Sequence, residues 1–303
     1  MRNSLERKAK YMWKTVEVVA PAKINFHLDV VDKRKDGYHN LKMIMQTVSL
    51  ADKLLIEKTF DREIILTSDC DKIPLGKENI VYRAVVEFYS KYMQKFTGIK
   101  IHIEKNIPIK AGLGGGSSDA AAVLLGLNAL NQTDLSIESI KDMGLKLGAD
   151  VPFMIEGGTS LVEGTGEKIQ EIMPIPKCYI LIVKPNIEVS TAEAFAKLDK
   201  AEIINRPDID MAIDCLEKRN LVKFSKTFCN VFEAVNDELE IGKIKSSMIE
   251  LGAINSSMTG SGPSAFGVFA DEEKALKAAQ NLRKIYDNVF VTKPVENGAY
   301  VIL

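Results

Sequence analysis

Residues 112–118 read Gly-Leu-Gly-Gly-Gly-Ser-Ser, so four glycines and two serines fall within seven positions. The alternating stretch GIKIHIEKNI leads into them, and an apolar run with helical spacing, residues 118–130, follows. Glycines let a backbone approach a ligand closely, and the free N–H groups and positive dipole end of the next helix attract an anion, most often phosphate. Ser117 and Ser118 are hydroxyls that either cap the helix or touch that phosphate. Ordering four glycines costs backbone entropy, which favours a ligand over a simple turn.

Three common phosphate loops do not fit. The pattern G-x-x-x-x-G-K-[ST] needs a lysine before the hydroxyls, and none stands there. A dinucleotide turn needs a third glycine where this chain has Ser117, and Asp134 follows a helix rather than a strand. A protein-kinase glycine loop leads into a strand, whereas this one opens a helix.

Two further residues have types suited to moving a proton or holding charge. Asp150, in GADVP, is either a base or the N-cap of a short helix beginning at Val151-Pro152. Lys23 lies in a stretch whose alternation sets Lys23, Asn25, His27 and Asp29 opposite Ile24, Phe26, Leu28 and Val30. A strand lysine is ordinarily solvated. Taken locally, Tyr38 and His39 are loop residues beside the Asp36-Gly37 turn, and Phe195 belongs to a helix core.

The elements that must position these residues are strands first, then helices mixed with strands, which is an α+β arrangement. TVEVVAPAKINFHLDVVDK, MIMQTVSL, KLLIEKT and EIILTS read as strands, and NIVYRAVVEFYSKYMQKF as a helix with Val81, Val85, Phe88 and Tyr92 on one side. SIESIKDMGLKLG, AEAFAKL, DMAIDCLEKR, DELEIGKIKSSMIELGA and DEEKALKAAQNLRKIY are further helices. Composition shifts near Glu163, where we expect a domain seam: residues 1–10 an N-terminal extension, 11–162 a first domain with the phosphate loop, and 163–303 a second. The 303 residues carry a net charge of −1, so no global field favours nucleic acid or an anionic membrane. No 18-residue apolar run is present. Cys70, Cys178, Cys215 and Cys229 form no CxxC pair, as expected of reduced thiols in a cytoplasmic protein. A monomer and a homodimer are equally compatible with this reading.

PIKAGLGGGSSDAA resembles the central motif of the GHMP small-molecule kinases. APAKINFHLDV, residues 20–30, and MTGSGPSAFGVF, residues 258–269, resemble that family's N- and C-terminal motifs, in the same order. The resemblance implies a ribosomal-protein-like N-terminal domain, a ferredoxin-like C-terminal domain and a site between them. It implies ATP and Mg²⁺ as cofactors and a small-molecule alcohol as acceptor. Pro108, Ile109, Lys110, Ala111, Gly112, Leu113, Gly114, Gly115, Gly116, Ser117 and Ser118 would then wrap the ATP phosphates, with Asn79 towards the adenine. Asp150 becomes the base and Lys23 its partner, an ammonium favouring the developing alkoxide. Within the family, DGYH and GADVPF point to a cytidine-diphosphate-linked methylerythritol as acceptor, phosphorylated on its 2-hydroxyl. Asn25, Thr191, Gly260, Ser261 and Gly262 would line the acceptor side, and Tyr38, His39 and Phe195 would hold the cytosine. Met45 stands where some members carry a third aromatic. No metal ligand is singled out. The rival readings are another member such as homoserine kinase, or a non-catalytic sensor with the same fold.

Overall fold

The computed structural model describes residues 15–92 and 96–302. The expected extension, residues 1–10, lies outside the described residues.

In chain order, the first layer holds β1 (Thr15–Lys33), β2 (His39–Lys58), β3 (Ile64–Ser68), α1 (Ile80–Lys91), β4 (Ile99–Glu104), α2 (Gly115–Asn131), α3 (Ile137–Leu147), α4 (Val151–Glu156), β5 (Thr159–Gly164) and β6 (Lys168–Glu171). The second holds β7 (Tyr179–Lys184), α5 (Thr191–Leu198), α6 (Ile209–Glu217), α7 (Leu221–Lys226), the short β8 (Cys229–Asn230), a 3₁₀ turn (Val231–Val235), α8 (Leu239–Glu250), β9 (Asn255–Met258), β10 (Ala265–Phe269), α9 (Glu272–Leu282) and β11 (Asn288–Thr292). The last strand, β12 (Tyr300–Ile302), returns to pair with β1.

The first sheet runs β12-β1-β2-β4-β3, with β5 and β6 continuing from β2 and β8 pairing with β1. The second runs β11-β7-β10-β9, antiparallel throughout. With α8 against β9 and β10, and α9 against β7 and β11, it is a strand–helix–strand–strand–helix–strand unit. That is the ferredoxin-like arrangement expected of the second half. Helix α2 is apolar nearly all round and buries Ala120 through Leu124, Gly126, Leu127 and Leu130. Such a helix must sit in the middle of a layer, and this one packs against β1, α1 and α4.

Three expectations are corrected. MIMQTVSL and KLLIEKT belong to one continuous strand, β2, because β1 pairs with it along nearly its whole length and a register shift at Pro21/Ala22 absorbs the irregularity between them. The alternation after Lys23 breaks at a second shift, between Asn25 and His27. Ile24 and Phe26 therefore join one apolar cluster while Leu28 and Val30 join another, and His27 packs among Phe224 and Phe228 rather than beside Lys23 and Asn25. The seam expected after residue 162 falls inside β5, whose ladder to β2 is unbroken there; the change of sheet comes between β6 and β7. Helix α7 and the 3₁₀ turn were absent from the sequence reading, being too short to show a period.

Helix α4 has six residues, too few to persist without support. Its C-terminal carbonyls are met by the chain leading to β12: the Gly298 N–H donates to Glu156 and the Ala299 N–H to Met154. Gly157 ends the helix at φ +80°, ψ −156°, a region reserved for glycine, and a Cβ there would fall 1.9 Å from the Gly298 nitrogen. Gly157→Ala is expected to cost about 2–5 kcal/mol of stability through backbone strain and overpacking. Urea unfolding measures this, and a loss below about 1 kcal/mol would show that α4 relaxes without its clamp.

Candidate active site

Lys23 lies mid-strand in β1 and is only 4% exposed, because both faces of the strand are covered here. A buried ammonium needs partners. Its Nζ donates to Asn25 Oδ1 at 2.8 Å and stands 3.5 Å from Asp150 Oδ2. Asp150 precedes α4 but makes no side-chain capping bond, so its carboxylate is left to face Lys23. The short helix at Val151-Pro152 is real; the capping role is not. Asn25 Oδ1 also accepts the Gly260 N–H at 3.1 Å, and the Asn25 backbone N–H donates to Thr259 Oγ1 at 3.0 Å. The lysine, the asparagine and the third glycine motif therefore form one unit.

The glycine loop packs onto that unit. The Lys23 backbone N–H donates to the Leu113 carbonyl at 2.9 Å. Gly112, at φ +74°, abuts the third motif so closely that a Cβ would lie 2.4 Å from the Thr259 carbonyl oxygen. Gly114 is the N-cap of α2, so the loop delivers the free end of a buried helix to a cavity of about 420 Å³. Pro108, Ile109, Lys110, Ala111, Gly112, Leu113, Gly114, Gly115, Gly116 and Ser117 line it, with Asn79 opposite. Lys110 reaches across to Glu188 at 2.9 Å.

Several expected roles change. Ser118 is fully buried and donates to the Pro21 carbonyl at 2.7 Å, so its hydroxyl anchors α2 to β1 and is turned away from any phosphate. Ser117 remains partly exposed at the loop. The Asn79 side chain caps α1 by accepting the Val81 N–H, donates to the Pro74 carbonyl, and lines the loop cavity where the adenine side was expected. Gly260, expected on the acceptor side with Ser261 and Gly262, packs against Gly112 of the loop, and Ser261 bonds Thr191. Met45 is fully buried in the core.

Beneath the loop lies a cluster that the sequence reading missed. Lys105 Nζ donates to Asp119 Oδ2 at 2.7 Å and also to Asp52 Oδ2. Asp52 further accepts the backbone N–H groups of Asn106 and Ile107 through Oδ1. Burial pushes the Asp119 carboxyl up to about 8; attraction to Lys105 opposes this and repulsion from Asp52 adds to it. Asp119 Oδ1 has no hydrogen-bond partner among the described residues.

Elsewhere, at the hairpin tip, Tyr38 is 67% exposed and His39 stacks on Phe195, with ring centroids 4.6 Å apart and planes 21° off parallel. Phe195 is held edge-on by Phe232. Thr191, at the start of the same helix α5, bonds Ser261 at 2.9 Å instead of the aromatic pair. The structure thus gathers Tyr38, His39 and Phe195 at one place and Lys23, Asn25 and Asp150 at another. α5 connects the former to the third motif.

Residues 79–158 match the GHMP kinases N terminal domain and residues 232–288 the GHMP kinases C terminal domain. The chain belongs to the GHMP kinase family and is a small-molecule kinase. It is 42% identical to the 4-diphosphocytidyl-2-C-methyl-D-erythritol kinase of Caldicellulosiruptor bescii, across 94% of this chain and 100% of that one. It is 45% identical to the enzyme of the same name from Caldicellulosiruptor saccharolyticus, across 92% and 96%. A crystal structure of 4-(cytidine 5′-diphospho)-2C-methyl-D-erythritol kinase superposes with a TM-score of 0.76 at 30% identity, covering 92% of this chain and 98% of that one. Homoserine kinase from Cytophaga hutchinsonii superposes at 0.78 with 20% identity, across 96% and 98%, a likeness of fold alone. Among the described residues no helix is long and apolar enough to cross a membrane.

The Asp119 shift has a sign that can be measured. Its folded value lies above the ordinary carboxyl value of 3.8, so the fold holds a proton that the unfolded chain releases. That contribution is complete below about pH 4 and is lost as pH rises through about 8. Asp119→Asn is therefore expected to gain urea resistance relative to the wild type between pH 5 and pH 9. Parallel midpoints across that range would mean the carboxyl is ionised throughout.

Proposed function

We propose that this chain transfers the γ-phosphoryl group of ATP to the 2-hydroxyl of 4-diphosphocytidyl-2-C-methyl-D-erythritol, as a cytoplasmic enzyme of the non-mevalonate isoprenoid pathway. The observation that carries this reading is the Lys23–Asp150 pair, 3.5 Å apart beside a glycine loop that opens a buried helix. The names of the relatives supply the acceptor. The free thiols of Cys70, Cys178, Cys215 and Cys229 accord with a reducing compartment.

Phosphoryl transfer asks little covalent chemistry of the protein and much positioning. The α2 N-terminus and the loop N–H groups receive the phosphates. Asp150, partly exposed, takes or orients the acceptor hydroxyl proton. Lys23, fixed by Asn25, presents positive charge where the alkoxide and the transferred group meet. The donors near the loop are hard oxygens, the Ser117 hydroxyl and the Asp150 carboxylate, which suits Mg²⁺ carried mainly by nucleotide phosphates and water. When bound, that ion neutralises phosphate charge. Among the described residues no group of three acidic, histidine or cysteine side chains is placed to hold a metal ion.

Purified protein with ATP, Mg²⁺ and 4-diphosphocytidyl-2-C-methyl-D-erythritol is expected to release ADP. Turnover of homoserine in place of that substrate would move the chain to another branch of the family, and turnover of neither would favour the sensor. Asp150→Asn is expected to lower kcat by about 10²–10⁴ while ATP affinity stays within about twofold. A variant with near-normal kcat would remove Asp150 from the chemistry.

A further inference from the structure

Asp199 follows α5 and joins three parts of the base-binding end of the site. Its Oδ1 lies 2.7 Å from His39 Nε2, and its Oδ2 accepts from Lys33 Nζ. Lys33 ends β1, His39 begins β2, and Asp199 stands one turn beyond Phe195, on which His39 is stacked. The hydrogen bonds to Lys33 and His39 hold the Asp199 carboxyl below its ordinary range, so at neutral pH it is a pure acceptor.

A carboxylate on Nε2 fixes which imidazole nitrogen carries the proton. Nε2 must be the donor, so in the neutral ring Nδ1 is left as an acceptor. Nδ1 makes no hydrogen bond among the described residues and is not sealed from solvent. An acceptor beside an aromatic stack suits a ring bearing an exocyclic amine. Cytosine presents an N4 amine there, whereas uracil presents an O4 acceptor that would face another lone pair.

We propose that Asp199 is a positioning residue for base recognition: by holding His39 in the Nε2–H form against Phe195, it makes the kinase read the cytosine amine and reject uracil. This rests on the reading of the substrate given above. Lys33 supports it by keeping the carboxylate between hairpin and helix.

The test uses the full chain and two probes, cytidine 5′-diphosphate and uridine 5′-diphosphate, in calorimetric titrations of the wild type and Asp199→Asn. The wild type is expected to bind the cytidine probe at least about tenfold more tightly. The variant is expected to lose about tenfold in cytidine affinity and most of that preference, the scale of one charge-assisted hydrogen bond. With the full substrate, KM should rise by a similar factor while kcat and the KM for ATP stay within about twofold. Nitrogen-15 spectra of the chain's three histidines give a ligand-free readout, in which wild-type His39 should carry its proton on Nε2 and Asp199→Ala should show both tautomers. Unchanged cytidine preference in Asp199→Asn, or a wild-type His39 protonated on Nδ1, would overturn the role of Asp199 and leave the substrate reading intact. A wild type that binds neither probe would overturn both.

Discussion

One side-chain amide holds the catalytic end together. Asn25 is fully buried in β1; its oxygen takes the Lys23 ammonium and the Gly260 N–H, while its backbone N–H engages Thr259. The contacts to Thr259 and Gly260 join residues 234 and 235 positions apart. Leaving such a group unpaired in the interior costs about 1–3 kcal/mol, so the amide that holds the lysine also ties the second layer to the first. The register shift beside Asn25 serves the same end, because it lets Asn25 reach the Met43 side while Phe26 remains among the aromatic rings of Phe224, Phe228 and Phe266.

The phosphate loop inherits its rigidity from what surrounds it. α2 is packed on almost every side, so its N-terminus cannot drift, and Ser118 pins its first turn to Pro21. Gly112 lies against Gly260 without side chains between them. Below, Lys105 is shared by Asp52 and Asp119. Burial raises the Asp119 carboxyl, which lessens the negative charge this cluster sets beneath the phosphate loop.

What the sequence disclosed was chemistry and order; what it hid was orientation. The glycine loop stood out by its composition, whereas Lys23 and Asp150, locally a solvated strand lysine and a helix cap, were singled out only through the resemblance, and the fold then sets them 3.5 Å apart. Ser118 and Asn79 carry equally suitable groups, yet each is spent on a backbone partner that only the folded chain brings near. The alternation around His27 misled because one extra residue in a strand turns the following side chains to the other face. Asp199 carried no local signal at all, since its partners stand 160 and 166 residues away. Asp119 was visible as a residue type, but the burial that raises it depends on packing under the loop.

The two ends of the site are measured against the same pieces of chain. β1 carries Lys23 in its middle and Lys33 at its tip, so under the proposed function alcohol and base would meet one continuous strand. α5 repeats the connection on the other layer: Thr191 at its start bonds Ser261 behind the phosphate loop, and Phe195 and Asp199 near its end hold His39. A helix of eight residues is too short to bend appreciably. Under the proposed function, a base held at Phe195 would lie on the same short helix whose first residue bonds Ser261 beside the glycine pair. Under the proposed function, recognition of the acceptor's nucleoside and alignment of the donor's phosphates would therefore draw on the same strand and the same helix.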